Sequence, residues 1–407
     1  MSAAAARRRK QLAARAQAEA ASTDVVAQQL QKLLAEETLD EATAYEALQL
    51  AQSQVRKKIV AGEFGPACEL CASAALALLQ KQRVSVASQL LTLLVQTLKE
   101  TQTMETPEWL SKLENLHTAH ETALKAIQAP PQEALRLHRL QRDWLKLVCS
   151  WSASELGTVH YGHNRLHKLL AIQSWNLAQL EQSLDDGGGT GAAAVAAVVG
   201  EDDQDVLLEL RCDAVQHMAL AEEPLELANW LKTLDAPTLE QTKMAHTGPP
   251  ALRDMLFTRS LLLMVAVENL RDATILLKEY MTNVETRDIT MLTASYTNKE
   301  DGLAPSHVVF GCMLLRLCEK DVRTGPLYSW LLRSFRRELE GLYKSKIVLG
   351  YTTKIGKLYF NIQPPPSMMN MVENMMNMMG GGAGAGGGAG FNPAMMQALA
   401  AQMQGGM

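Results

Sequence analysis

Two clusters in the chain contain the residue types from which metal or redox sites are built. Cys68 and Cys71 are separated by two residues, a spacing that can serve disulfide exchange or half of a tetrahedral zinc site. A redox role needs a strand–helix–strand setting and zinc needs a second pair of ligands, and the surrounding sequence supplies neither. The remaining cysteines, at 149, 212, 312 and 318, are scattered. Cys68 and Cys71 therefore read as small apolar side chains on a packed helix. His160, His163 and His167 form the second cluster. On one continuous helix His163 and His167 would share a face, as in zinc-binding helices, but no Glu follows His163 and Gly162 breaks the helix ahead of it. Histidines that cap or pack between helices are the reading that remains. Gly187-Gly188-Gly189 lacks both the strand before it and the Lys-Ser/Thr after it that a phosphate loop requires. With no nucleophile elbow and no carboxylate dyad either, the expectation is a protein without catalytic site, cofactor or metal.

The elements that position these residues are helical by their apolar spacing. Val26, Leu30, Leu33 and Leu34 form one stripe, and Leu90, Leu91, Leu94, Val95 and Leu98 form another. The pattern predicts helices near 24–37, 41–61, 64–80, 83–101, 106–128, 131–150 and 163–182, then 205–221, 224–233, 250–268, 271–283, 305–319 and 325–343. Tyr351, Ile355, Leu358, Tyr359 and Ile362 suit a last helix, with a strand as the rival because of Thr352 and Thr353. A Gly-, then Ala/Val-, then acidic tract at 183–204 reads as an expanded loop. The segment 284–302, with Ile289, Met291 and Tyr296 among Thr, Asn and Asp, suits an irregular loop or a small β-hairpin. These boundaries divide the chain into an Ala/Arg-rich arm at 1–23, helical halves at 24–182 and 205–362 around the loop, and a Pro/Met/Gly-rich tail at 363–407.

Composition narrows the class. The chain has 407 residues, 47% of them hydrophobic but only 5% aromatic, and a net charge of −5. That charge gives no field for nucleic acid or an anionic membrane. The longest run of large apolar residues, Leu261 to Val267, is too short to span a bilayer, so a soluble, cytosolic protein with reduced thiols is expected. Arg7, Arg8, Arg9, Lys10 and Arg15 admit two readings of the N-terminal arm, a frayed helical or disordered arm or a transit peptide. The last 40 residues hold 11 of the 20 methionines. Met375, Met376, Met395 and Met396 there either offer pliable thioethers to apolar client proteins or belong to a low-complexity tail.

Helix pairs of this length cannot each bury an apolar face alone, so neighbours must stack. Phe64, Ala67, Cys71 and Ala74, after Gly62, resemble the second helix of a tetratricopeptide hairpin, with Phe64 as an apolar wedge. The same wedge spacing recurs at Leu270 and Ala273. The fold class that follows is an all-α, tetratricopeptide-like solenoid.

Several motifs in order also resemble one family. Tyr45-Glu-Ala47, Ala67, Ser73-Ala-Ala-Leu76 and Ser88-Gln-Leu90 look like the opening helices of the Golgi to ER traffic protein 4 family. Gly162-His163-Asn-Arg-Leu166-His167, followed by Trp175, resembles its central Gly-His/Asp-Pro-x-Leu-His motif, with Asn164 in place of the Pro. Phe257 to Ala273, and Ile355 to Ile362 followed by prolines and methionines, are similar to later segments. The resemblance implies a non-enzymatic scaffold of the guided-entry pathway for tail-anchored membrane proteins. It implies a targeting ATPase as partner on 41–75, with Tyr45, Gln49, Arg56 and Lys57 as contacts. It implies a ubiquitin-like subunit on 270–345, with Tyr280, Ile289, Met291 and Tyr296 as contacts, and through it a tetratricopeptide co-chaperone carrying clients. The alternative is a helical-repeat subunit of a proteasome-lid-like complex, a class that ends in a winged helix with strands.

Overall fold

The computed structural model describes residues 25–36, 38–187, 201–234, 252–282, 306–320, 322–342 and 345–362, and every regular element among them is helical. The chain divides into two units, Met1–Phe360 and Asn361–Met407, the second described only at Asn361 and Ile362.

The first unit is an α-solenoid. Its first half comprises α1 (25–35), α2 (Glu41–Val60), α3 (Phe64–Gln80), α4 (Val84–Glu100), α5 (Pro107–Ala126), α6 (Pro131–Ser152) and α7 (Asn164–Gly187). Small and branched apolar residues make one buried face after another: Ala44, Ala47, Leu48 and Ala51 on α2, Ala67, Cys71, Ala74 and Leu78 on α3, Leu90, Leu91, Leu94 and Leu98 on α4. The Ala and Cys positions let neighbouring backbones approach, and α2 to α5 each pack on their next and next-but-one neighbours. Phe64 departs from the expected wedge, being 46% exposed.

The tight turns share one device. The N–H groups of Glu63, Arg83, Thr103 and Asn269 each bond back to a carbonyl five residues earlier, at 2.9 Å, as in a Schellman cap. The residue before each is left-handed: Gly62 at φ 77°, Gln82 at 60°, Gln102 at 50° and Glu268 at 67°. Only the first turn has the residue suited to that conformation; the others accept strain to reverse the chain.

The second half comprises α8 (Glu201–Leu220), α9 (Pro224–Thr233), α10 (Leu252–Ala266), α11 (Leu270–Thr282), α12 (Ser306–Cys318), a 3₁₀ turn (Val322–Thr324), α13 (Gly325–Ser334), α14 (Arg336–Glu340) and α15 (Ser345–Phe360). α10 is buried on all sides because α8, α9, α11, α12 and α15 surround it. The helix expected over 325–343 breaks at Phe335, whose ring turns inward against Phe310, centroids 5.6 Å apart. The helix-or-strand alternative at the end resolves as helix, starting at Ser345. Thr352 and Thr353 fit there because both hydroxyls donate to Leu349 O, at 3.0 and 2.8 Å. A strand-bearing winged-helix ending is thereby excluded over 345–360. α7 reaches Gly187 and α8 begins at Glu201, so helix enters both ends of the expected loop; 188–200, the 284–302 insertion, the arm at 1–23 and the tail from 363 lie outside the described residues.

α15 is held by two tyrosines. The Tyr328 hydroxyl donates to Thr352 O at 2.7 Å, and that of Tyr359 donates to Val265 O at 3.3 Å. Tyr328→Phe should lower stability by about 1 kcal/mol, measured as a lower urea midpoint with an unchanged slope.

Candidate functional site

The two thiols of the Cys68–Cys71 pair belong to the core. Both side chains are fully buried; Cys71 donates to Leu90 O at 3.2 Å and Cys68 lies 3.8 Å from the Thr101 hydroxyl. Burial raises both pKa values, that of Cys71 to about 12, which keeps the thiolate needed for redox or metal chemistry out of reach. Among the described residues no three His, Cys, Asp or Glu side chains converge as metal ligands.

The histidine motif is a tertiary lock. Gly162 takes φ 99°, and a Cβ there would sit 2.8 Å from His167 Nε2, so the position needs glycine for backbone and space alike. His163 N–H donates to the Ser152 hydroxyl at 2.7 Å, while His163 Nδ1 and Asn164 Oδ1 both accept from Arg165 N–H, at 3.2 and 2.8 Å. Asn164 thus opens α7 with a side-chain acceptor. His167 Nε2–H donates to Tyr161 O at 2.8 Å, which leaves its Nδ1 to accept from His217 Nδ1–H on α8, also at 2.8 Å. The two rings are nearly parallel, 16° apart, and meet edge to edge with centroids 5.0 Å apart. Behind the lock, buried Glu105 accepts from the Ser152 hydroxyl and, at 2.8 Å, from that of Thr158.

The same chemistry recurs from layer to layer. His120 of α5 meets Ser88 of α4 at 3.4 Å; His117 of α5 accepts from Gln141 of α6 at 3.0 Å; His138 of α6 accepts from Gln173 of α7 at 3.0 Å; His307 of α12 meets Thr258 of α10 at 2.9 Å. A ring nitrogen that accepts from an amide must be unprotonated, and burial lowers every one of these pKa values. His120 and His217 fall to about 3 and His307 to about 4; His117, His138 and His167 fall as well.

The residues expected to meet partners divide sharply. Tyr45, Gln49, Arg56 and Lys57 are all exposed on α2, opposite its buried face, and Tyr45, Gln49 and Arg56 fall on one stripe by their spacing of four and seven. Lys57 lies off that stripe, about 100° round the helix from Arg56. Tyr280, expected on the second surface, is instead core: it is 1% exposed, its ring stacks on Phe257 at 4.1 Å, and its hydroxyl bonds Asp254. The Arg253 guanidinium lies 5.1 Å over the same ring. An aromatic ring with one polar group satisfies a helix interface as well as a docking site, so its residue type alone misassigned it. Ile289, Met291 and Tyr296, with Met375, Met376, Met395 and Met396 in the tail, lie outside the described residues. The sequence reading missed a second exposed group, Leu327 and Trp330 on α13. Its signal is that α13 is apolar on two faces, since buried Tyr328 and Leu331 interleave with them.

The sequence profile of the family described as Golgi to ER traffic protein 4 matches residues 61–379. The chain belongs to that family. Golgi to ER traffic protein 4 membership gives it a part in traffic between Golgi and ER. A solved structure described as the crystal structure of C. therm. Get4 is also similar, at 18% identity and a TM-score of 0.47, over 91% of this chain and 98% of that one. Among curated proteins no match is found. The matched range holds the histidine lock and the whole second half, whereas Tyr45, Gln49, Arg56 and Lys57 precede it.

Two outcomes follow from the buried histidines. An unfolded histidine takes a proton near pH 6.5, whereas folded His120 and His217 resist until about 3. Stability is therefore intact above pH 6.5 and falls as pH drops below it, by about 1.4 kcal/mol per pH unit for each such residue. Urea titrations from pH 7 to 4 should show that fall, and His120→Gln should remove one proton from the slope. Gly162→Ala should cost more than 1 kcal/mol, on the order expected for a non-glycine left-handed residue with a steric clash, read by thermal unfolding.

Proposed function

We propose that the chain is a non-enzymatic, cytosolic scaffold that joins a targeting ATPase to a ubiquitin-like subunit, and through it a client-loaded co-chaperone, for delivery of tail-anchored proteins to the ER membrane. The family match over 61–379 carries this reading. The chemistry of the described residues agrees with it: the buried histidines, Cys68 and Cys71 are occupied in holding helices together. No helix among the described residues is long and apolar enough to cross a membrane.

In this reading the ATPase docks on the exposed side of α2, where Arg56 and Lys57 offer charge to an acidic surface and Tyr45 offers an aromatic anchor. The ubiquitin-like subunit is held by the second half, around the 284–302 segment. Bringing two partners onto one rigid support raises the effective concentration of one beside the other and needs no chemistry of its own.

Affinity capture with the full chain should recover both an ATPase and a ubiquitin-like protein. The Arg56→Glu, Lys57→Glu double variant should lower ATPase recovery roughly tenfold, as reversal of complementary charge does, while leaving the ubiquitin-like protein bound. Recovery of neither partner by the unmodified chain would sink the reading, and an unaffected ATPase would remove the exposed side of α2 from it.

A further inference from the structure

The methionines at the end of the chain are ordered, and their order is that of a helix face. α15 stops at Phe360 and Asn361 takes φ 51°. Pro364-Pro365-Pro366 bars a continuation, so a helical register can only restart at Ser367. Between Pro366 and Gly380 lie seven methionines, Val372 and five polar residues. On a helix turning about 100° per residue, the eight apolar side chains share one half of the circumference, and Ser367, Asn370, Glu373, Asn374 and Asn377 fill the other. Shuffling the same residues separates the two sets this cleanly only about once in a hundred orders, whereas a low-complexity tract would scatter them. The second block repeats the device. Asn392 and Pro393 are a helix-start pair. Met395, Met396, Leu399 and Met403 fall within about 100° of one another, with Gln397 and Gln404 on the far side.

The composition says what such faces would meet. From Gln363 to Met407 the chain has one charged residue, Glu373, against 20% charged residues in the whole. An uncharged face gains nothing from a charged partner, and without Lys or Arg it lacks the attraction to anionic lipid that surface-lying helices use. The 13 residues of the first block would span about 20 Å, too little to cross a bilayer. Unbranched thioethers mould themselves to apolar partners of differing shape. The 11 residues from Gly380 to Gly390 are all Gly or Ala, and a chain of that composition and length reaches about 18 Å. One helix is roughly 10 Å across, so the two faces can close on opposite sides of it.

We propose that 367–379 and 393–404 act as a two-part clamp for an uncharged, apolar helix of about 20 residues, the kind that a membrane-spanning segment presents before insertion. The methionine faces cover that helix from two sides, and the Asn and Gln faces stay in water. The chain thereby shields client segments itself, which goes beyond the scaffold reading, where clients are held only by a co-chaperone. Neither the ATPase nor the ubiquitin-like subunit is needed for this contact.

The test uses the full chain and a small soluble carrier domain ending in about 20 Leu and Ala residues, with a photoreactive side chain at the centre of that stretch. Irradiation should cross-link the two, with adducts mapping within 367–404. A carrier whose stretch is interrupted by Asp should cross-link at least roughly tenfold less. Reordering 367–379 at identical composition, so that its methionines fall all round, should cut the yield about tenfold. Met368→Gln, Met371→Gln, Met375→Gln and Met379→Gln together should do the same, and Asn370→Gln with Asn377→Gln should leave it unchanged. Equal cross-linking of the reordered chain, or adducts confined to residues before 361, overturns the proposal. So does tail-dependent binding to phosphatidylcholine vesicles, or tail-dependent pairing of two copies, at the carrier's expense. The reordered chain should still capture the ATPase and the ubiquitin-like protein. Failure of that capture by the unmodified chain, with the cross-link intact, counts against the scaffold reading alone.

Discussion

No helix in this molecule can hide its apolar side by itself. That constraint sets the rest: each element leans on its neighbours, and small residues appear wherever two backbones must come close. Ala67, Cys71 and Ala74 on α3 are the plainest case, since any larger side chain there would push α4 and α2 away. Stacking also traps polar atoms between layers, and the histidines answer that difficulty. A neutral imidazole gives one donor and one acceptor on a rigid ring, so it can satisfy a glutamine or hydroxyl on the neighbouring helix without bringing a charge inside. The sequence cluster that first suggests metal chemistry is part of this cement.

Helix positions were largely legible from apolar spacing because the core is built from Leu, Ala and Val at three- and four-residue steps, and little else competes for those positions. The break at Phe335 was not legible. Periodicity runs through it, and only the demand of Phe310 for a neighbour turns the chain there. Thr352 and Thr353 argued for a strand by propensity, yet the burial of Tyr328, Ile355 and Phe360 outweighs a preference worth less than about 1 kcal/mol per residue.

The functional residues were legible in proportion to how local their signal is. The exposed stripe on α2 could be read because a helix with one apolar face must turn the other outward. Tyr280 could not, since a tyrosine on a partly apolar helix looks the same whether a partner or α10 covers it. Leu327 and Trp330 were hidden for the opposite reason: apolar residues in a helix are taken for core, and only the packing shows that no further helix among the described residues covers these two.

The return of α15 to α10 has a consequence during synthesis. Tyr359 and the Val265 carbonyl it bonds are 94 residues apart. At ribosomal speeds of about 5–20 residues per second, α10 emerges roughly 5–20 s before its last covering helix exists. Throughout that interval the most completely buried helix among the described residues stands partly open, and the nascent protein is itself a candidate for chaperone care.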